Sequence, residues 1–196
     1  MKKIHACLLG AVACAVAPAV SAHVGHEGGH VANSLFAGLS HPLLGADHLL
    51  AMLAVGLWSA AALPAGRRAL GPLAFLAALA LGAVAGAQGL SLGFVEPAIA
   101  LSVVVLAEML LAARRLPAAA GLGLVALAAG LHGLAHGSEA PVDGLFASYA
   151  VGFLATSAAL HIAGLGLGQR LLKLQPWVWR TTAALFGASG LLMLAR

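Results

Sequence analysis

The sequence predicts an all-α, polytopic membrane protein with six transmembrane helices after a signal peptide. Three observations predict it. The 196-residue chain is 62% hydrophobic and 8% charged, with a mean hydropathy of +1.01, so it lacks the polar surface that a soluble domain needs. Its apolar residues fall in long runs between turn signals, without the alternation of barrel strands. Its internal basic residues all lie in or beside alternate loops.

The first 22 residues read as a secretory signal. Lys2 and Lys3 form the charged start, residues 4–20 the apolar stretch, and Val20-Ser21-Ala22 a small-residue cleavage site. Cys7 and Cys14 both fall within this segment, so the mature chain offers no disulfide and no thiolate ligand. Residues 23–33 form a polar arm facing the periplasm. Residues 34–196 form the membrane domain, in six apolar stretches near 37–63, 69–89, 95–113, 117–137, 144–168 and 177–195. Most approach the roughly 20 residues that cross a bilayer. The breaks carry Pro64-Ala65-Gly66, Gly89 to Gly93, Pro117, Gly137 to Gly144 and Pro176.

Arg67, Arg68, Arg114, Arg115, Arg170, Lys173 and Arg180 lie in or beside the odd-to-even connections, while 90–94 and 138–143 contain no Lys or Arg. Those connections are therefore cytoplasmic, and both mature termini face the periplasm. The expected location is the bacterial inner membrane, with the lipid bilayer as the first partner. The net charge of +4 falls by two with the signal and sits in short loops, which excludes a nucleic-acid face. No glycine-rich stretch leads into the Lys-Ser/Thr of a nucleotide loop. Gly82-x-x-x-Gly86 reads instead as a close-packing helix face.

Two clusters break the apolar pattern. One runs His41-Pro42-Leu43-Leu44-Gly45-Ala46-Asp47-His48, the other Leu131-His132-Gly133-Leu134-Ala135-His136-Gly137-Ser138-Glu139. Histidine and carboxylate are costly in lipid and normally face a bundle interior or a polar path. Pro42 suits the first position of a helix over 42–63, about 33 Å long, with Ser40 or His41 capping it. A helix running through Pro42 would instead place His41 and His48 on one face, with Met52 extending the stripe. His132 and His136 share a face, with Glu139 at or beyond the helix end. By depth, His41 sits level with His136 and Glu139, and Asp47 and His48 level with His132. Nothing in the sequence brings the two helices into contact.

Imidazole and carboxylate together suit borderline divalent ions such as nickel, cobalt or zinc. Asp47 either binds the ion or orients a neighbouring histidine. Gly133 and Gly137 admit a close helix or an ion. After cleavage His23 is the N-terminal residue, and with His26, Glu27 and His30 it forms either a metal-capturing arm or a solvated linker. Ser157 and His161 share a face that would continue the path inward; a hydrogen-bonded core histidine fits equally well. Glu96, before Pro97, reads as a helix cap, and Glu108 as a buried partner of Arg114 or Arg115.

His41-x5-Asp47-His48 and His132-Gly133-x-Ala135-His136-Gly137-x-Glu139 resemble the paired signature motifs of the HupE/UreJ nickel and cobalt permeases. Leu131 departs from the Phe usual there, without touching a ligand. The resemblance implies a non-enzymatic permease that imports nickel, with cobalt next, for hydrogenase or urease maturation. The ion is then the transported substrate, with no permanently bound cofactor. It also implies that His41, Asp47, His48, His132, His136 and Glu139 are needed for transport, and that maturation proteins are candidate partners. Two rivals stand beside it: an intramembrane zinc-dependent hydrolase, and a haem-binding electron carrier with facing histidines.

Overall fold

Residues 31–142 and 144–196 are described by the computed structural model. The proposed signal and the arm histidines His23, His26 and His30 lie outside them. The described residues form seven α-helices and no strand: α1 (Val31–Leu44), α2 (Ala46–Ala62), α3 (Leu70–Ala87), α4 (Val95–Leu111), α5 (Ala118–Ser138), α6 (Phe146–Leu171) and α7 (Pro176–Leu194). Each of the six apolar stretches is thus helical. The first is broken into α1 and α2, which is where one helix beyond the six comes from.

That break corrects the expected helix over 42–63. Pro42 lies inside α1 rather than at the start of a helix, and the chain bends by 76° between α1 and α2. Proline removes a backbone donor and crowds the carbonyl four residues back, here that of Gly38, so the helix gives way within a turn. Gly45, in extended conformation, is the hinge and the cap of α2. Ser40 caps nothing, because its hydroxyl donates back to Phe36 O and Ala37 O at 3.0 and 3.2 Å. At α4 the cap is Phe94, and Glu96 is an exposed first-turn residue. Glu108 is exposed rather than buried, and among the described residues it forms no ion pair.

Three helical segments are long and apolar enough to cross a bilayer alone: Ala65–Ala87, Ala118–Ser138 and Phe146–Leu171. The bent pair makes a fourth if it is one span. Their surfaces are inverted relative to a soluble protein, with Leu73, Leu81, Leu127, Val151 and Ile162 all exposed. An apolar exterior of this extent is what lipid solvates. The protein is a helical membrane protein.

α2 occupies the centre, and Met52, Val55, Leu57 and Trp58 have no exposed surface. Around it the helices pair through small residues, since hydrophobic burial does not drive association in lipid. A Cβ on Gly82 or Gly86 of α3 would fall 2.3 Å from Gly130 O and 2.4 Å from Leu134 O of α5. A Cβ on Gly133 or Gly137 of α5 would fall 2.2 Å from Leu79 O and 2.1 Å from Ala83 O of α3. The seam works in both directions, and it fixes α5, which carries two of the motif histidines. Likewise Gly38 and Gly152 join α1 to α6, and Gly56 and Gly164 join α2 to α6. These contacts run α3 parallel to α5 and the bent pair parallel to α6. α4 and α7 run antiparallel, with Gly190 against Val104 and Trp179 Nε1 donating to Leu110 O at 2.9 Å.

Candidate metal centre

The bend at Gly45 gathers the first motif. His41 lies in the last turn of α1, while Asp47 and His48 lie in the first turn of α2. α5 brings His132 and His136 to the same place from the opposite side, and Glu139 caps its end. The centroids of the His41 and His136 rings are 4.6 Å apart, as are those of His48 and His136. His48 and His132 approach to 4.7 Å. The depth pairing read from the sequence therefore holds, with His48 touching both α5 histidines.

One ligand nitrogen from each of His41, His48 and His136 lies within 4.8 Å of the other two. Bonds of about 2.1 Å to a single ion would set such atoms roughly 3–3.5 Å apart, so a small contraction closes the set. Glu139 Oε2 is 3.3 Å from His41 Nε2, at the exposed side of the cluster. Its carboxyl is pushed above the usual range, first by burial; the proximity of His48 opposes this, and Glu96 and Asp47 reinforce it.

The hydrogen-bond network assigns the tautomers. Asp47 Oδ1 accepts from the His48 backbone N–H and from His48 Nδ1, both at 2.7 Å. The lone pair of His48 is therefore on Nε2, a buried atom without a partner. Ser102 on α4 gives its only proton to Ile99 O at 2.7 Å, so its oxygen accepts from His132 Nε2 at 3.0 Å. That leaves the lone pair of His132 on Nδ1, also buried and unpartnered. Neither nitrogen of His136 has a partner. Buried polar atoms normally find one, and leaving such an atom bare costs about 1–3 kcal/mol. Several bare imidazole nitrogens in one place are what a cation site requires, and on His48 and His132 the opposite N–H is held by an oxygen. Asp47 is placed to hold the His48 ring.

Sequence reasoning missed three neighbours. Tyr149 of α6 stands 6.0 Å from His41 and 6.5 Å from His136 by ring centroids, and its hydroxyl is buried without a partner. Phe153 stacks on His136 at 4.5 Å with a 13° interplanar angle. Ser102 sets the His132 tautomer as described. For the first two a signal was present: Tyr149, Phe153, Ser157 and His161 recur at every fourth residue and form one buried stripe. Tyr149 is also the only tyrosine in the chain. Met52, expected to extend the His48 stripe, is fully buried one turn beyond His48 on α2 and belongs to the hydrophobic core cluster.

Comparison with known proteins adds an independent finding. The family model described as HupE / UreJ protein matches residues 11–193. Protein HupE of Rhizobium leguminosarum bv. viciae is 40% identical over 144 residues, covering 72% of this chain and 73% of its own. No solved structure matches the chain.

Proposed function

The chain belongs to the HupE/UreJ family, and from that premise we propose that it is an inner-membrane permease carrying nickel, with cobalt second, from periplasm to cytoplasm. This is a family of metal transporters rather than enzymes, associated with nickel and cobalt uptake for hydrogenase and urease. That membership removes the hydrolase reading. The single observation that carries the permease reading is the convergence of His41, His48 and His136 on one point within a helical membrane protein. Three imidazoles beside a carboxylate suit a bare borderline cation, whereas haem takes one or two axial ligands.

In this reading the His23, His26 and His30 arm captures the ion outside. Glu139 and His41 receive it at the mouth, and its water is exchanged for His48 and His136. The carboxylates of Glu139 and Asp47 offset its charge as water leaves, and His132 lies next. The chain crosses the membrane six times, the bent α1–α2 pair counting as one crossing. Support for that topology comes from the helix directions. Helices expected to run the same way pack parallel, and α4 and α7, expected to run opposite ways, pack antiparallel. The seven internal basic residues adjoin the end of the bundle around Trp58, Gly71, Gly121 and Gly168, away from the histidines.

Accumulation of radioactive nickel by cells expressing the chain tests the proposal, with His41→Ala and His132→Ala alongside and cobalt as competitor. Uptake abolished by both substitutions is the expected result. A membrane-inserted wild-type chain that moved neither nickel nor cobalt would overturn it.

A further inference from the structure

One buried histidine lies outside the cluster. His161, on α6, has no exposed surface. Its Nδ1 donates to Ser157 O at 2.6 Å, which places the lone pair on Nε2, and that atom is buried without a partner. His161 is therefore built in the same way as His48 and His132. An oxygen holds one ring nitrogen and the other is left bare. A structural histidine needs only the first half of this arrangement, and the bare half is destabilising.

Its position is equally specific. Phe75 of α3, fully buried, packs against both His161, at 4.7 Å between centroids, and His132, at 6.1 Å. His132 is the innermost histidine of the outer cluster, and its own bare nitrogen is Nδ1. The two bare nitrogens thus belong to rings that share one aromatic neighbour. His161 also lies deeper along the bundle, since it is on α6 three turns beyond Tyr149, beside Gly56 of α2.

We propose that His161 is an inner acceptor site for a divalent borderline cation, which passes from His132 Nδ1 to His161 Nε2 when the Phe75 ring moves aside. The step is ligand exchange: one metal–imidazole bond forms as another breaks, with no change of oxidation state. The inference rests on the permease reading and deepens it. A single neutral imidazole holds an ion weakly, which suits an exit station, because conduction requires sites that release what they accept. The outer cluster, with three convergent nitrogens, suits capture. Phe75 keeps the two from forming a continuous polar column.

The test separates this role from a merely structural one. In His161→Asn the shorter amide occupies the place of Nδ1 and keeps the bond to Ser157 O, but nothing replaces Nε2. His161→Gln reaches the Nε2 position with an amide. For each, the initial rate of nickel uptake per membrane-inserted molecule is measured, together with the nickel affinity of the purified chain by competition with a chromophoric chelator. The expected result for His161→Asn is an uptake rate lower by at least about tenfold with affinity within about threefold of wild type. Wild-type uptake by His161→Asn would overturn the proposal. A fall in affinity matching the fall in uptake would also overturn it, by making His161 part of the outer centre. Absence of uptake by the wild type would overturn the permease reading and this step with it.

Discussion

Replacing Asp47 separates a side chain that binds the ion from one that holds a ligand. Asp47 Oδ1 is engaged twice, by the His48 backbone N–H and by His48 Nδ1, each at 2.7 Å. A hydrogen bond to a charged acceptor contributes about 1.5–3 kcal/mol, against about 0.5–1.5 kcal/mol for a neutral one. Asp47→Asn retains an acceptor oxygen in place and loses the charge, so about 1 kcal/mol is expected, or roughly fivefold in nickel affinity. Asp47→Ala removes the acceptor altogether, frees the His48 ring to turn and allows the proton to move to Nε2, where it blocks the lone pair. Loss of such a supporting partner costs about 10–100-fold in metal affinity. Competition titration of the purified chain against a chromophoric chelator measures both. The reasoning is refuted if Asp47→Ala binds nickel as wild type does. It is refuted equally if Asp47→Asn falls as far as Asp47→Ala, since that equality marks a charge bound directly to the ion.

Other substitutions test the frame around the centre. Gly133→Ala would drive a Cβ to 2.2 Å from Leu79 O, a backbone atom that cannot turn away, so α3 and α5 must part. Overpacking of this kind costs about 1–3 kcal/mol, read as a lower thermal midpoint in detergent. Gly123→Ala, on the same helix but with nothing within 4 Å, is expected to keep or raise that midpoint. Ser102→Ala strands the His132 Nε2 proton and lowers stability by about 1–3 kcal/mol, whereas Tyr149→Phe removes a hydroxyl that has no partner and leaves the midpoint unchanged or higher. A midpoint lowered by Tyr149→Phe would show that the hydroxyl is bonded. For topology, Ser91→Cys is expected to react with an impermeant maleimide from the periplasmic side, and Gly66→Cys only after lysis. The reverse pattern would invert the orientation.

Much of the fold was legible because lipid imposes simple rules. A chain in hydrocarbon must satisfy its backbone internally, so each long apolar run between turn signals becomes a helix. The predicted stretches near 69–89, 95–113, 117–137, 144–168 and 177–195 correspond to α3 to α7 with small shifts at the ends. Gly82-x-x-x-Gly86 was readable as a packing face, because in such a bundle small residues mark the places where backbones meet. The first stretch was misread at Pro42. Its local preference for a helix start lost to a helix that begins at Val31 and gives way at Gly45. Glu108 was misplaced for a related reason: hydropathy alone does not say which side of α4 faces the bundle.

By itself the sequence determined that the chain is a helical membrane protein, that two polar motifs are set in apolar helices, and that their histidines pair by depth. Composition, helical rise and the cost of charge in lipid suffice for those, since each depends only on neighbours along the chain. Only the tertiary structure decided which rings meet. His41 reaches His48 and His136 because α1 and α2 bend by 76° at Gly45. α5 is held in register by backbone contacts at Gly82, Gly86, Gly133 and Gly137, which the sequence marked as packing positions without naming the helix they meet. The roles of Ser102, Phe75 and Tyr149 were decided there too. Each comes from a different helix, and their relation to the histidines arises from helix packing, through distances that sequence spacing does not encode.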